Sequence, residues 1–262
     1  MSDDRGPITR GVLLHILWRS FFFQAANNYE RMQNVGFVYC LQPALTKLYE
    51  GDALQRAHQR HLDFFNSHPY MANAVLGAVV RLEEDVAAGR LAEERVGAFK
   101  TTMMGPLAAI GDSFFWASLK PFAAALAVAG IFSGIPWAPV VFLLLYNLFH
   151  VGLRTFGLMA GYRTGERVFE KICQVDLVQF SDRSHYLGGV CLGVGVAALL
   201  DETQRSRYAL GQGLEFVVLT GLVLIFFQSL KRKVEMPWLL YGFSCLTALL
   251  MFGLNSLFPL FP

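Results

Sequence analysis

Met103–Pro121 reads MMGPLAAIGDSFFWASLKP, an apolar run interrupted by Gly105, Pro106, Gly111, one acid (Asp112) and one base (Lys120). Mixed, charged sequence lies before it and long charge-free sequence follows. Glycine and proline punctuate backbone, and a carboxylate in apolar surroundings is costly unless it is paired or functional. The run therefore predicts a broken membrane segment that contributes to a polar site.

Composition agrees with this. Of the 262 residues, 54% are hydrophobic and 16% charged, against about 25% charged in an ordinary soluble domain. A formal net charge of +2 is too balanced to suggest nucleic acid as a partner. The cysteines Cys40, Cys173, Cys191 and Cys245 form no C-x-x-C pair, so neither a disulfide framework nor a zinc site is implied. The first ten residues, MSDDRGPITR, carry acids where a signal peptide needs a basic patch, so the N-terminus is expected to stay in the cytoplasm.

Upstream of the run, residues 8–26 read as an interfacial amphipathic helix that Thr9 could cap. In the next stretch, NNYERMQNVG from Asn27 to Gly36, a helix would place Asn27, Glu30, Arg31 and Asn34 on one face. Amides with one acid and one base suit a polyol, because each sugar hydroxyl both donates and accepts; a solvated helix face with a Glu–Arg pair accounts for the same spacing. Residues 37–48 form an apolar helix containing Pro43, and 53–65 a charged one. His58, His61 and Asp63 on the latter are spaced too loosely for a metal site. Residues 70–80 are apolar over half a membrane thickness, and Arg81–Arg95 read as a charged helix pair in water.

Downstream, Phe122–Phe149 has no charge, but Gly134, Pro136 and Pro139 break it in the middle. Two half-length legs meeting at a Pro/Gly tip describe a re-entrant hairpin at least as well as a kinked span. The Lys231-Arg232-Lys233 cluster marks a cytoplasmic junction between spans at Tyr208–Leu230 and Met236–Pro262. Counting back from it puts 201–207 outside and 150–184 inside, and a cytoplasmic N-terminal region then needs 122–149 to enter and leave on one side. The expected architecture is an all-α integral membrane protein with transmembrane helices, re-entrant helical hairpins and a helical cytoplasm-facing N-terminal region. Its parts are residues 1–121 (with candidate re-entrant segments 70–80 and 103–121), 122–149, 150–184 and the C-terminal spans of 185–262.

Several motifs in register resemble one family. Asn28-Tyr29-Glu30-Arg31-Met32-Gln33 followed by Gly36-Phe37 is similar to the N-terminal signature of the IID membrane component of mannose/fructose/sorbose-family phosphotransferase-system (PTS) sugar transporters. So are His61–Asn66 with Pro69, Met104–Asp112 with Phe115-Trp116 and Pro121, and the Gly161-Tyr162 and Gly165 region. The resemblance implies a bacterial inner-membrane subunit without catalysis of its own, metal or cofactor. It would pair with a IIC subunit to bind and translocate a hexose, which IIA and IIB phosphocarrier proteins phosphorylate, and IIC–IID pairs would assemble into trimers. It also implies Asn28, Glu30 and Asp112 as substrate-binding candidates, with Arg31, Gln33 and Asn66 behind them, and Gly105, Pro106 and Gly111 as backbone-shaping residues. Asp112 could instead cap a helix at Gly111-Asp112-Ser113. A regulatory or receptor-like protein on the same scaffold is the alternative.

Overall fold

A computed structural model of the chain describes residues 8–205 and Gly221. Contacts group residues up to Leu199 into one unit and Leu200–Pro262 into a second. The spans expected at 208–230 and 236–262, and the 231–233 basic cluster, lie outside the described residues.

Among the described residues the unit is helical, with two isolated backbone bridges and no strand. In chain order the helices are α1 (Arg10–Ser20), α2 (Asn34–Leu48), α3 (Gly51–His61), α4 (Ala72–Ala87), α5 (Glu93–Gly111), α6 (Lys120–Phe132), α7 (Ala138–Thr164), α8 (Val168–Cys173) and α9 (Leu177–Arg205). Thr9 caps α1 by accepting from the Val12 amide, and Gly51 (φ 53°) makes the tight turn between α2 and α3. The Asn28–Asn34 stretch is a compact turn rather than a helical face: α1 ends at Ser20, and α2 begins only at Asn34.

The Met103–Pro121 run is not broken. It belongs to a continuous helical rod, Glu93–Phe132, and Pro106 lies inside α5. The irregularity takes the form of a π-helical stretch, Asp112–Leu119, that joins α5 to α6. The wider turn leaves polar backbone to satisfy, and the Ser118 hydroxyl donates to the Ser113 carbonyl five residues back (2.8 Å). Asp112 stands at the junction, at the C-terminal end of α5 and the start of the π-helical stretch, where no side chain makes a capping hydrogen bond. The chain turns at Gly134 (φ 82°) and Pro136, and α6 packs against α7 beyond that turn. Helix α7 runs on through residue 150 and, with α8, makes a second rod to Cys173. Both rods are long and apolar enough to cross a membrane.

Helix α4 is the centre of the packing. Its ANAVLGAVV run is buried throughout, and its most extensive neighbour is α7. The two backbones meet where α7 carries Gly157 and Gly161, a G-x-x-x-G spacing, and α4 carries Ala74, Gly77 and Ala78. A methyl group on Gly161 would strike the Ala74 carbonyl and come within 2.7 Å of the Ala78 amide nitrogen, and one on Gly77 would strike the Leu158 carbonyl. Small residues are the condition for helices to pack this closely.

Two of the three acids on α4, Glu83 and Glu84, are buried, not in water as the sequence suggested. Glu83 is 0% exposed and takes hydrogen bonds from Arg60 Nη2 (2.6 Å) and Nε (2.8 Å), from the Tyr49 hydroxyl (2.6 Å) and from His61 Nε2 (2.9 Å). Arg60 continues to Glu93 on α5 (3.0 Å), and Lys100 on α5 reaches the His61 carbonyl (3.4 Å). Glu84 accepts from the Ile8 amide (3.3 Å) and the Tyr162 hydroxyl (3.0 Å) on the other side of the helix. Burial alone would raise the Glu83 carboxyl, but its donors, Arg60 and His61 foremost, outweigh this and hold it down to about 2. Burial pushes the His61 imidazole down to about 4, against the pull of Glu83.

Two outcomes are expected. Gly161→Ala should lower stability by about 1–3 kcal/mol, since overpacking outweighs the gain in helix propensity. Gly97→Ala, at a position facing open space on α5, should be neutral or stabilising, and thermal unfolding of the detergent-solubilised protein compares the two. Stability should also fall with acid. Below pH 6.5 the unfolded chain binds a proton at His61 that the native state refuses until about 4. Below 4.5 the unfolded chain likewise binds one at Glu83 that the native state refuses until about 2, so the losses run in the same direction. Glu83→Gln should remove the second component and cost about 1–3 kcal/mol at neutral pH, because Arg60 loses its charged hydrogen bonds to Glu83 and keeps only Glu93 as a charge partner.

Candidate functional site

Three stretches far apart in sequence meet at one place. The Asn28–Asn34 turn is closed by reciprocal backbone hydrogen bonds between Asn28 and Met32 (both 3.0 Å). It then pairs with the segment after α3, through Gln33 N to the Phe65 carbonyl (2.9 Å) and Phe65 N to the Arg31 carbonyl (3.4 Å). The buried Gln33 side chain copies a backbone ladder there, donating to the Ser67 carbonyl and accepting from the Ser67 amide, each at 2.9 Å. The Ser67 hydroxyl carries the connection to α5 by donating to the Met104 carbonyl (3.0 Å). Next along the chain, His68 lies flat against Gly111, where any side chain would collide with the ring.

The Asn28 side chain shapes this turn. Its Oδ1 accepts from the Arg31 amide (2.8 Å) and its Nδ2 donates to Asn34 Oδ1 (2.8 Å), while Asn34 Nδ2 donates to the Leu62 carbonyl (2.8 Å). Arg31 reaches the same Leu62 carbonyl (3.3 Å). Glu30 is 84% exposed at the side chain, with Arg31 3.7 Å away. Asn66 is exposed, Gly105 faces open space, and Pro106 sits within α5. Asp112 is exposed beside buried Gly111, and its carboxylate has no hydrogen bond or ion pair among the described residues. Met32, at the tip of the turn, holds φ at 55°, a strained value for a residue with a side chain.

From His68 the contacts run through Tyr70 to a cluster that the sequence reading passed over, built on Arg154. This arginine is 3% exposed inside α7, and no carboxylate pairs with it among the described residues. Its Nη1 donates to the carbonyl and hydroxyl of Ser20, and its Nε donates to His150 Nε2 (2.9 Å). The guanidinium sits over the rings of Tyr70 (5.1 Å) and Phe21 (5.2 Å), which are favourable places for a cation. Asn73 donates to the Ser20 hydroxyl (3.0 Å), but its Oδ1 is buried with no partner.

Aromatic rings continue from this arginine toward Asp112. Tyr70 stacks on His150 (3.9 Å) and shares a hydrogen bond with the Tyr146 hydroxyl (3.2 Å). His68 lies parallel to Phe115 (5.0 Å, 8°), and Trp116 leans on it from the exposed side. His68 Nδ1 accepts from the Tyr70 amide (3.3 Å), so Nε2 carries the proton and stands buried without an acceptor. Burial first, then the nearby charges of Arg154 and His150, push this imidazole down to about 4, so it is neutral at physiological pH. Ring faces, neutral donors and one arginine match a carbohydrate, whose C–H faces stack on aromatics and whose hydroxyls accept from such donors.

The π-helical stretch makes this arrangement possible by turning Phe114 and Phe115 inward while Asp112 and Trp116 face out. A base inside an apolar helix was the available signal for Arg154, since such a residue is expensive unless it has a function. The sequence reading assigned it to a charged segment beginning at residue 150, because local charge density masks burial. Among the described residues, no group of three His, Cys, Asp or Glu side chains is placed to hold a metal, and His61 is engaged with Glu83 instead.

Residues 7–253 match the family described as "PTS system mannose/fructose/sorbose family IID component". The mannose-specific EIID component of Escherichia coli K12 is 32% identical over 254 residues, covering 89% of this chain and 88% of that protein. The sorbose-specific EIID component of Klebsiella pneumoniae is 30% identical over 258 residues, covering 91% and 94%. A solved structure described as the mannose transporter ManYZ in complex with microcin E492 contains a chain 28% identical, with a TM-score of 0.59 over 93% of this chain and 96% of that one. Another, described as a membrane protein, is also 28% identical and reaches a TM-score of 0.68, covering 92% and 95%. With the motifs, the helical membrane architecture and these relatives in agreement, the chain belongs to the IID components of mannose/fructose/sorbose-family phosphotransferase-system sugar transporters.

Proposed function

We propose that this IID component pairs with a IIC subunit to form the sugar-binding and translocating unit of a bacterial inner-membrane permease. The hexose it carries is phosphorylated during uptake by a IIB partner that IIA recharges. The chain itself does no phosphoryl transfer, and IIC–IID pairs assemble further into trimers. Its N-terminus and the 150–184 segment face the cytoplasm. The observation that carries this reading is the meeting of the family's three polar motifs, linked through His68 and Tyr70 to the Arg154 and aromatic cluster. The relative described as part of the mannose transporter ManYZ supports a two-protein assembly.

In this unit Glu30 and Asp112, two carboxylates at the surface of the site, accept hydrogen bonds from sugar hydroxyls. Asn28 holds the turn that presents Glu30 and adds its own amide to the site. Arg31, Gln33 and Asn66 support the same surface, while Gly105, Pro106 and Gly111 shape the helix beneath it. Gly111 has an evident reason, since it makes room for His68.

Glu30→Gln and Asp112→Asn test these assignments, because both side chains are exposed and their loss leaves the fold standing. Uptake of labelled hexose, measured in cells that also make the partner proteins, should weaken in apparent affinity by roughly 5- to 150-fold for each. Unchanged uptake in both would remove these residues from the sugar's path. Cells lacking the IIC partner should show no uptake through this chain, and uptake by the chain alone would end the two-subunit reading.

A further inference from the structure

At the end of α7 remote from the aromatic cluster, the chain kinks at Gly165, whose φ of 56° only glycine adopts without strain. Two clefts flank the kink, of about 410 Å³ and 370 Å³, and Arg163 and Thr164 line both. Six bases and three acids line them in all, so the bases are in excess.

The acids are already used. Asp85 holds Arg90 (2.6 Å), Glu166 takes Arg95 on both of its oxygens (2.8 Å each), and Glu170 holds Arg167 (2.9 Å). Arg81 leans on Glu84 (3.5 Å). The unspent charge is on Arg163, which has no ion pair or side-chain hydrogen bond among the described residues, and on Lys171, which reaches only the Gln174 amide oxygen (3.1 Å). The paired arginines are neutralised by carboxylates that line the same clefts, so the net positive charge rests chiefly on Arg163 and Lys171. Arginine donors in a fixed fork match the oxygens of a phosphate group, and a volume of this size admits a phosphorylated small molecule.

We propose that the two clefts form one anion site, centred on Arg163 with Lys171 beside it, that binds the phosphate group of a phosphate ester. A soluble ester and a lipid headgroup share this chemistry. The inference stands on these residues alone and is independent of the sugar path, so either can fail without the other.

The test is calorimetric titration of glucose 6-phosphate into the protein, in its native complex, in phosphatidylcholine nanodiscs at low chloride. Wild type should bind, Arg163→Gln should weaken binding by about tenfold or more, and Arg56→Gln, which removes an exposed base elsewhere, should change it less than twofold. Arg163 is exposed, and matching thermal unfolding of the variant confirms that the fold is intact. Repeating the titration with phosphatidylglycerol in the nanodiscs identifies the source. Competition assigns the site to a lipid headgroup, undiminished binding assigns it to a soluble ester, and both outcomes support a phosphate site. No binding by wild type, or equal binding by wild type and Arg163→Gln, overturns the proposal.

Discussion

The buried carboxylate of Glu83 is the constraint on which the rest of the unit depends. An isolated charge at that depth would be prohibitively expensive, so the surrounding elements must deliver donors to it. Tyr49 comes from the end of α2, and Arg60 and His61 come from the last turn of α3. Through Arg60 and Lys100 the same network engages α5. Few arrangements of these elements satisfy the carboxylate, and the native one also positions the segment after His61. That segment, Leu62–His68, supplies backbone partners for the Asn28–Asn34 turn and sets the His68 ring against Gly111. The candidate site is thus held in place by a charge that does not itself belong to it.

Two backbone devices complete the arrangement. The small residues facing each other on α4 and α7 bring those helices into direct backbone contact, which places Arg154 and His150 of α7 against Tyr70 and Asn73. The π-helical stretch of Asp112–Leu119 then sets the register by which Phe115 meets His68 while Asp112 faces outward. A regular α-helix through the same residues would rotate everything beyond Asp112 relative to everything before it. One arginine, five aromatic residues (Phe21, Tyr70, Phe115, Trp116 and Tyr146) and two imidazoles thereby share one region, although their elements are far apart in the chain.

Much of this was legible in advance. Apolar runs with few charges announce membrane helices, glycine and proline mark the turns at Gly51 and Gly134, and motif order identifies the family. Other features misled local reading. Asn27–Gly36 has helical spacing, but its amides are better satisfied by a turn that pairs with Phe65 and Ser67, partners some thirty residues away in sequence. Arg81–Asp85 has the look of a solvated segment, but two of its acids are buried because distant donors come to meet them. Pro106 suggests a break, but α5 continues through it to Gly111.

By itself, the sequence determined the helical class, the membrane solvent, the family and the identity of the polar motifs, since these follow from composition, periodicity and order, all of which are local properties. Only the tertiary structure decided that the motifs converge, that Met103–Pro121 bends its register without breaking, and that Arg154 is buried among rings. These outcomes depend on which distant groups satisfy a buried charge and how closely two helices approach. Such energies arise between elements, so no single stretch of the chain contains them.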